Sequence, residues 1–238
     1  MPDRSLLAEL TTDDHVARVA LIVIDMQRDF CEPGGYAAHA GLDTSRLAGV
    51  IAQISSLLKT ARRTGMTVVH TREGHLPDLS DCPPEKLRRS RNAGAAIGSI
   101  GPMGRLLVRG EYGQDIIDAL QPWPGEYVVD KPGYGAFYRT ELSVHLERAG
   151  VDCLILCGVT TEVCVHSTLR EAVDRGYRCI TVADACAASM PHLQAPALAM
   201  IGVEGGILGS VATTADTLEA LAICLPAQPP TMFTESKP

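Results

Sequence analysis

CLILCGVTTEVCVHSTLREA, residues 153–172, decides the fold. The apolar run from Cys153 to Cys157 reads as a buried strand. Gly158 and the Thr160-Thr161 pair read as a turn, and the residues around Cys164 as the opening of a helix. Two further stretches have the same grammar. In VALIVIDMQRDF, residues 19–30, a β-branched run from Val19 to Ile24 stops at Asp25. In YVVDKPGYGAF, residues 127–137, the strand from Tyr127 to Asp130 stops at Lys131. The carboxyl ends of parallel strands face one crevice, where ligands bind. An acid, a cation and a thiol meeting at that edge form a set suited to amide cleavage.

Around these three stretches, strand and helix patterns alternate, which predicts an α/β fold with a doubly wound, mostly parallel sheet between two helical layers. SRLAGVIAQISSLLKTARRT, residues 45–64, carries apolar residues at helical spacing and stops at Gly65; MTVVHT, residues 66–71, is the second strand. The polar stretch from Arg72 to Arg109 has no regular period and is long for a passive connection, so it reads as a lid or binding element or as a solvated excursion. Helices are expected over Ala136–Ala149 and Cys164–Arg175, a strand over Arg178–Ala183, and a short strand and helix within GGILGSVATTADTLEALAI, residues 205–223. One domain is expected over residues 1–238, with a core from about 19 to 221 and loose termini, the Pro-rich tail from Pro226 included.

Composition narrows the function classes. With 238 residues, 46% hydrophobic and 21% charged, the chain can bury a large core. A formal net charge of -7 gives no basic field for phosphate backbones, so no nucleic-acid partner is expected. MPDRSLLAELTTDDH lacks the apolar centre of a signal peptide, and no run reaches the roughly 18 apolar residues of a membrane span; the expected location is cytoplasmic, away from membranes. The eight cysteines show no CxxC pair and no zinc spacing. Seven read as small core hydrophobes, and Cys164 as the exception.

At the helix opening, backbone N-H groups and a nearby Lys131 ammonium are expected to lower the Cys164 thiol's pKa, while Asp25 takes and returns a proton. The Cys164 N-H and one from the preceding turn could hold an oxyanion. Singly, each residue also has a plain reading: Asp25 as a turn former, Lys131 as half of a surface ion pair, Cys164 as packing.

LIVIDMQRDF (21–30), DKPGYGAF (130–137) and GVTTEVCVHSTLREAVDRGY (158–177) together resemble the isochorismatase-like cysteine hydrolases, in the family's order and from about Val19 to Leu221. The resemblance implies a three-layer α/β/α fold, catalytic Asp25, Lys131 and Cys164, and a cis peptide between Val159 and Thr160 that turns the Thr160 N-H toward the oxyanion beside that of Cys164. It also implies a homotetramer and no cofactor. The metal-binding branch of the family carries an Asp-x-His and a further His; His70 and His75 do not make that set, so no metal is expected.

Within the family, HTREGHLPDLSD (70–81) and GPMGRLLVRGEYGQDII (101–117) look most like biuret and triuret hydrolases, with ureidoacrylate amidohydrolases close behind. That implies cleavage of a carbamoyl C-N bond in a small ureide, with release of ammonia. Gln27, Phe30, Tyr36, Tyr134 and Phe137 are expected to supply polar partners and an aromatic face, and Arg72 and Glu73 to close the pocket. Glu204 stands where biuret hydrolases carry glutamine; it accepts but does not donate hydrogen bonds, which suits a substrate end rich in N-H groups such as triuret, unless it is simply solvated. N-carbamoylsarcosine and nicotinamide amidases are alternatives within the family, and a non-catalytic binding or thiol-sensing protein is the alternative outside it.

Overall fold

The computed structural model describes residues 4–11 and 15–225. Six strands form one sheet: β1 (Val19–Ile24), β2 (Thr67–Glu73), β5 (Tyr127–Lys131), β6 (Cys153–Val159), β7 (Arg178–Ala187) and β8 (Ser210–Ala212). A separate two-stranded antiparallel ribbon joins β3 (Ile100–Gly101) to β4 (Gly104–Arg105). The sheet order is β5-β2-β1-β6-β7-β8, and every pairing in it is parallel. Strands covered on both faces need continuous apolar runs, and β1 and β6 are buried at every position.

The chain builds outward from β1 through β2 to β5, then returns to place β6 on the other side of β1. This reversal opens a crevice between the carboxyl ends of β1 and β6, with β2 and β5 ending beside it. Register aligns those ends: Ile24 pairs with both Thr71 and Gly158, and Glu73 with Lys131.

Helices flank the sheet: α1 (Arg4–Leu10), α2 (Arg28–Cys31), α3 (Tyr36–His39), α4 (Thr44–Ala48), α5 (Ile51–Thr64), α6 (Pro84–Asn92), α7 (Leu142–Arg148), α8 (His166–Asp174), α9 (Pro191–Ala199) and α10 (Thr214–Cys224). The helix expected over 45–64 is two. Asp43 caps the first through the Ser45 and Arg46 N-H groups, the chain resets at Gly49, and α5 buries Ile54, Leu57, Leu58 and Ala61 on one stripe. It ends at Gly65 in the left-handed conformation (φ 69°). The helix expected over 136–149 is only α7, because the chain up to Glu141 is spent on turns. The stretch from Arg72 to Arg109, which lacked a clear period, holds α6 and the β3–β4 ribbon.

One terminus departs from expectation. Rather than hanging loose, α1 buries Leu6 and Leu10 and packs against α10, β7 and β8. The tail from Pro226 lies outside the described residues. The cysteines other than Cys164 are free; six are buried and Cys224 is half-buried, in keeping with a packing role. Among the described residues, no helix is long and apolar enough to cross a membrane.

Gly158 is the tightest point of the crevice. Its φ is 116°, and a Cβ there would sit 2.0 Å from the Ile24 carbonyl oxygen. Only glycine lets β6 lie this close to β1 while turning toward the site. Gly158→Ala is expected to cost about 3 kcal/mol or more from clash and backbone strain, read as a lowered urea midpoint. An unchanged midpoint would show that the two strands can part without cost.

Candidate active site

Each strand end delivers one group. Asp25 follows β1 with φ 52°, a left-handed conformation that aspartate tolerates better than most residues. Its N-H bonds the Thr71 carbonyl at 3.2 Å, and Thr71 Oγ1 donates to Asp25 Oδ1 at 2.6 Å. Lys131 ends β5 and is fully buried. Its Nζ lies 2.8 Å from Asp25 Oδ2 and 3.5 Å from Glu73 Oε2, and donates to the Gly133 carbonyl at 3.0 Å. The chain leaves β6 through a cis Val159-Thr160 bond, as the resemblance implies, into a π-helical turn, Thr161–Val165, that continues as α8. Cys164 thus sits inside a wide turn rather than at the first residue of a regular helix; such turns recur at functional sites.

Cys164, Asp25 and Glu73 converge: the Sγ and one oxygen of each carboxylate lie within 4.8 Å of one another, and Sγ donates to Glu73 Oε2 at 3.5 Å. Two carboxylates and a thiol are also a donor set for a cation. The Lys131 ammonium already brings positive charge to both carboxylates. His70 and His75 are not among these donors and pair instead with Glu126 at 3.0 Å and Asp81 at 3.3 Å.

The charges settle which carboxylate can serve as base. Burial works to raise the Glu73 carboxyl, but Lys86 at 2.7 Å and Lys131 outweigh it and hold it at about 2. At Asp25, burial wins over Lys131, and the carboxyl is raised above its ordinary range. Asp25 is therefore the better proton acceptor, and its Oδ2, though ion-paired, accepts no well-aligned hydrogen bond. Burial also pushes the Cys164 thiol well up, Lys131 pulling against it and Asp25 and Glu73 adding to the rise. This corrects the expectation of a lowered thiol pKa. A cysteine inside the fold beside two carboxylates rests protonated.

A cavity of about 290 Å³ opens over Sγ, lined by Phe30, Tyr36, Ala40, Leu42, Glu73, Ala93, Tyr134, Thr160, Val163, Cys164 and Ser189. Of the expected site residues it brings together Phe30, Tyr36, Glu73, Tyr134, Thr160 and Cys164, with Asp25 and Lys131 beneath. Four others lie elsewhere. Gln27 is a buried clamp on the Glu73 backbone, accepting from the Glu73 N-H at 2.7 Å and donating to the Glu73 and Gln114 carbonyls at 2.8 Å. Arg72 pairs with Asp130 and Asp115, because consecutive strand residues point to opposite faces and Glu73 has the inward position. Phe137 stacks on Tyr177 at 6.0 Å. Glu204 is exposed, on a short turn before β8, and does not line the cavity.

Several contributors carried no clear signal in the sequence, Ala40, Leu42 and Val163 of the lining among them. Ser189 follows the carboxyl end of β7, and its N-H bonds Glu162 at 2.9 Å, so the strand-end rule could have found it. Ala93 closes α6 over the cavity, and Lys86 lies behind Glu73; both came from the stretch without a period.

Comparison with known proteins agrees with this geometry. The family model described as the isochorismatase domain matches residues 19–216. Ureidoacrylate amidohydrolase RutB from Methylorubrum extorquens is 38% identical over 196 residues, 81% of this chain and 79% of that one. Its counterpart from Azorhizobium caulinodans is 33% identical over 210 residues, 87% and 92% of the two chains. Among solved structures, a cysteine hydrolase from Pseudomonas syringae superposes with a TM-score of 0.73 at 29% identity, covering 94% and 96% of the chains. N-carbamoylsarcosine amidase from Thermoplasma acidophilum gives 0.64 at 28%, covering 83% and 96%.

The thiol's environment predicts its labelling. In the wild type, iodoacetamide modification of Cys164, followed by mass mapping, should keep rising past pH 9, above the ordinary thiol midpoint of about 8.5. Asp25→Asn removes a negative neighbour and should move that midpoint down. A wild-type midpoint near pH 7 would restore the preformed thiolate.

Proposed function

This chain belongs to the isochorismatase family, and from that membership we propose that it is a cysteine amidohydrolase that cleaves the carbamoyl C-N bond of a small ureide. One observation carries the reading: a thiol, a carboxylate of raised pKa and a buried ammonium converge under a cavity of about 290 Å³, room for a small ureide. The steps follow from the charges. Asp25 takes the thiol proton as Sγ bonds to the carbamoyl carbon, and the carbonyl oxygen becomes an oxyanion held by the Thr160 and Cys164 N-H groups, each worth about 3 to 4 kcal/mol. The C-N bond breaks as Asp25 returns the proton to the departing nitrogen, which leaves as ammonia when it is terminal. Water then attacks the thioester-like carbon and gives a proton to Asp25. The C-S bond breaks and the thiol is restored. Lys131 stays charged throughout, with Asp25 as its first counter-charge.

The relatives favour ureidoacrylate, or a ureide close to it, as the substrate. A second reading, biuret or triuret, rests on the lining itself: it includes no Lys, Arg or His, and its one ionised side chain is Glu73. An uncharged ureide suits that surface better than a carboxylate.

Ammonia release from ureidoacrylate, biuret, triuret, N-carbamoylsarcosine and nicotinamide will separate these readings. Turnover of at least one ureide is expected, and Cys164→Ser should reduce it at least about a hundredfold, since a serine hydroxyl is a far weaker nucleophile at neutral pH. Nicotinamide as the preferred substrate would overturn the ureide assignment. No turnover of any compound would leave the thiol-sensing alternative standing.

A further inference from the structure

Lys86 is a buried cation with no part in the proton transfers of the proposed reaction. It lies in the first turns of α6, within the long connection between β2 and β5, and its side chain runs inward. Nζ lies 2.7 Å from Glu73 Oε1, donates to the Pro132 carbonyl at 2.6 Å and sits 4.7 Å from the centre of the Tyr134 ring. It thereby joins three parts of the cavity wall: the end of β2, the turn after Lys131 and the ring of Tyr134. The same helix leads into Ala93, which lines the cavity.

The balance of charges shows why such a group is needed. With the thiol protonated, Asp25 and Glu73 carry two negative charges and Lys131 one positive, and Lys86 makes the cluster neutral. Without it Asp25 and Glu73 would share one ammonium inside the fold, and a lone buried carboxylate escapes that cost by taking up a proton. A protonated Glu73 would offer a donor where a carboxylate offers only acceptors. Glu73 Oε2 lies 3.5 Å from Sγ, so this choice decides what the space over the nucleophile can bind.

We propose that Lys86 is a positioning residue of the active site, which keeps the Glu73 carboxylate ionised and aimed over Cys164 to accept N-H groups from the bound ureide. The binding half rests on the ureide assignment. The electrostatic half does not. Besides Lys86, the groups that face Glu73 are Lys131 of β5, Asp25 after β1, Cys164 of the π turn, His75 and Cys82 of the long connection, and Tyr36 and Tyr134.

The test compares Lys86→Met, Lys86→Arg, Glu73→Gln and the double variant Glu73→Gln/Lys86→Met in the full chain. Glu73 is held at about 2, below its ordinary 4.5, so the stability it adds is complete above pH 4.5 and lost as pH falls toward 2. Lys86→Met should therefore melt at least about 5 °C below wild type at pH 7, and the gap should narrow steadily from pH 5 to pH 3. Adding Glu73→Gln to Lys86→Met should recover part of the loss, since it removes the unpaired charge. With a turned-over ureide, Lys86→Met should raise KM at least about tenfold with a smaller change in kcat, and Lys86→Arg should stay near wild type. A gap that does not change with pH, or a double variant no more stable than Lys86→Met, would make Lys86 a mere tether of α6 and overturn the proposal. Should Lys86→Met fail to fold, a folded double variant would uphold the pairing, and a double variant that also fails would overturn it. An unchanged KM would overturn the binding half. If no ureide is turned over but the gap narrows with pH, the ureide assignment falls and the electrostatic role stands.

Discussion

A single ammonium, Lys131 Nζ, with none of its residue exposed to solvent, sets the conditions for everything around it. A buried cation persists only where its counter-charges and hydrogen-bond acceptors are in place. Here they are Asp25 Oδ2, Glu73 Oε2 and the Gly133 carbonyl. Those groups come from β1, β2 and the turn after β5, so three neighbouring strands must end at the same level. The Ile24–Thr71 and Glu73–Lys131 register brings them there. Thr71 then orients Asp25, and Gln27 clips both the N-H and the carbonyl of Glu73. These polar contacts stabilise less than they specify: each removes one alternative placement of a charge that must not wander.

Cys164, the proposed nucleophile, is fitted to this cluster from the other side of the switch point. β6 supplies Cys164 through a glycine, a cis bond and a π turn, three departures from regular backbone within seven residues. Thr168 locks the turn from behind, donating to the Cys164 carbonyl at 2.8 Å and accepting from the Ala136 N-H at 3.1 Å. The thiol thus reaches the cluster without a charge of its own. In the proposed reaction the reactive pair forms when a proton moves from sulfur to Asp25, a move that changes no net charge within the cluster.

The sheet and the meeting of Asp25, Lys131 and Cys164 were legible because both are written in short-range patterns. Apolar runs mark strands, and the first polar or glycine residue after each run marks the strand end, so Asp25, Lys131 and Cys164 could be placed at one edge without knowing the strand order. The stretch 72–109 was not legible for the opposite reason. Its helix, PEKLRRSRN, reads as a basic surface segment, and nothing local shows that Lys86 turns inward with Ser90 while Arg88 is exposed. That is decided by a carboxylate 13 positions earlier in the chain and by a turn 46 positions later. Phe137 and Glu204 show the same limit. An aromatic packs on whichever neighbour the fold brings, and a loop glutamate turns inward only if the loop does. The thiol's raised pKa belongs here too, since helix geometry is local but the depth of burial is not.

The N-terminal helix carries a consequence of a different kind. α1 buries Leu6 and Leu10 against α10 and the edge strand β8, and Glu9 accepts from Ser210 Oγ at 3.1 Å. This helix therefore has docking partners about two hundred residues downstream. Until those segments fold, its apolar stripe has nowhere in this fold to go. Docking α1 on the sheet's open side is thus a long-range event, slow by loop closure.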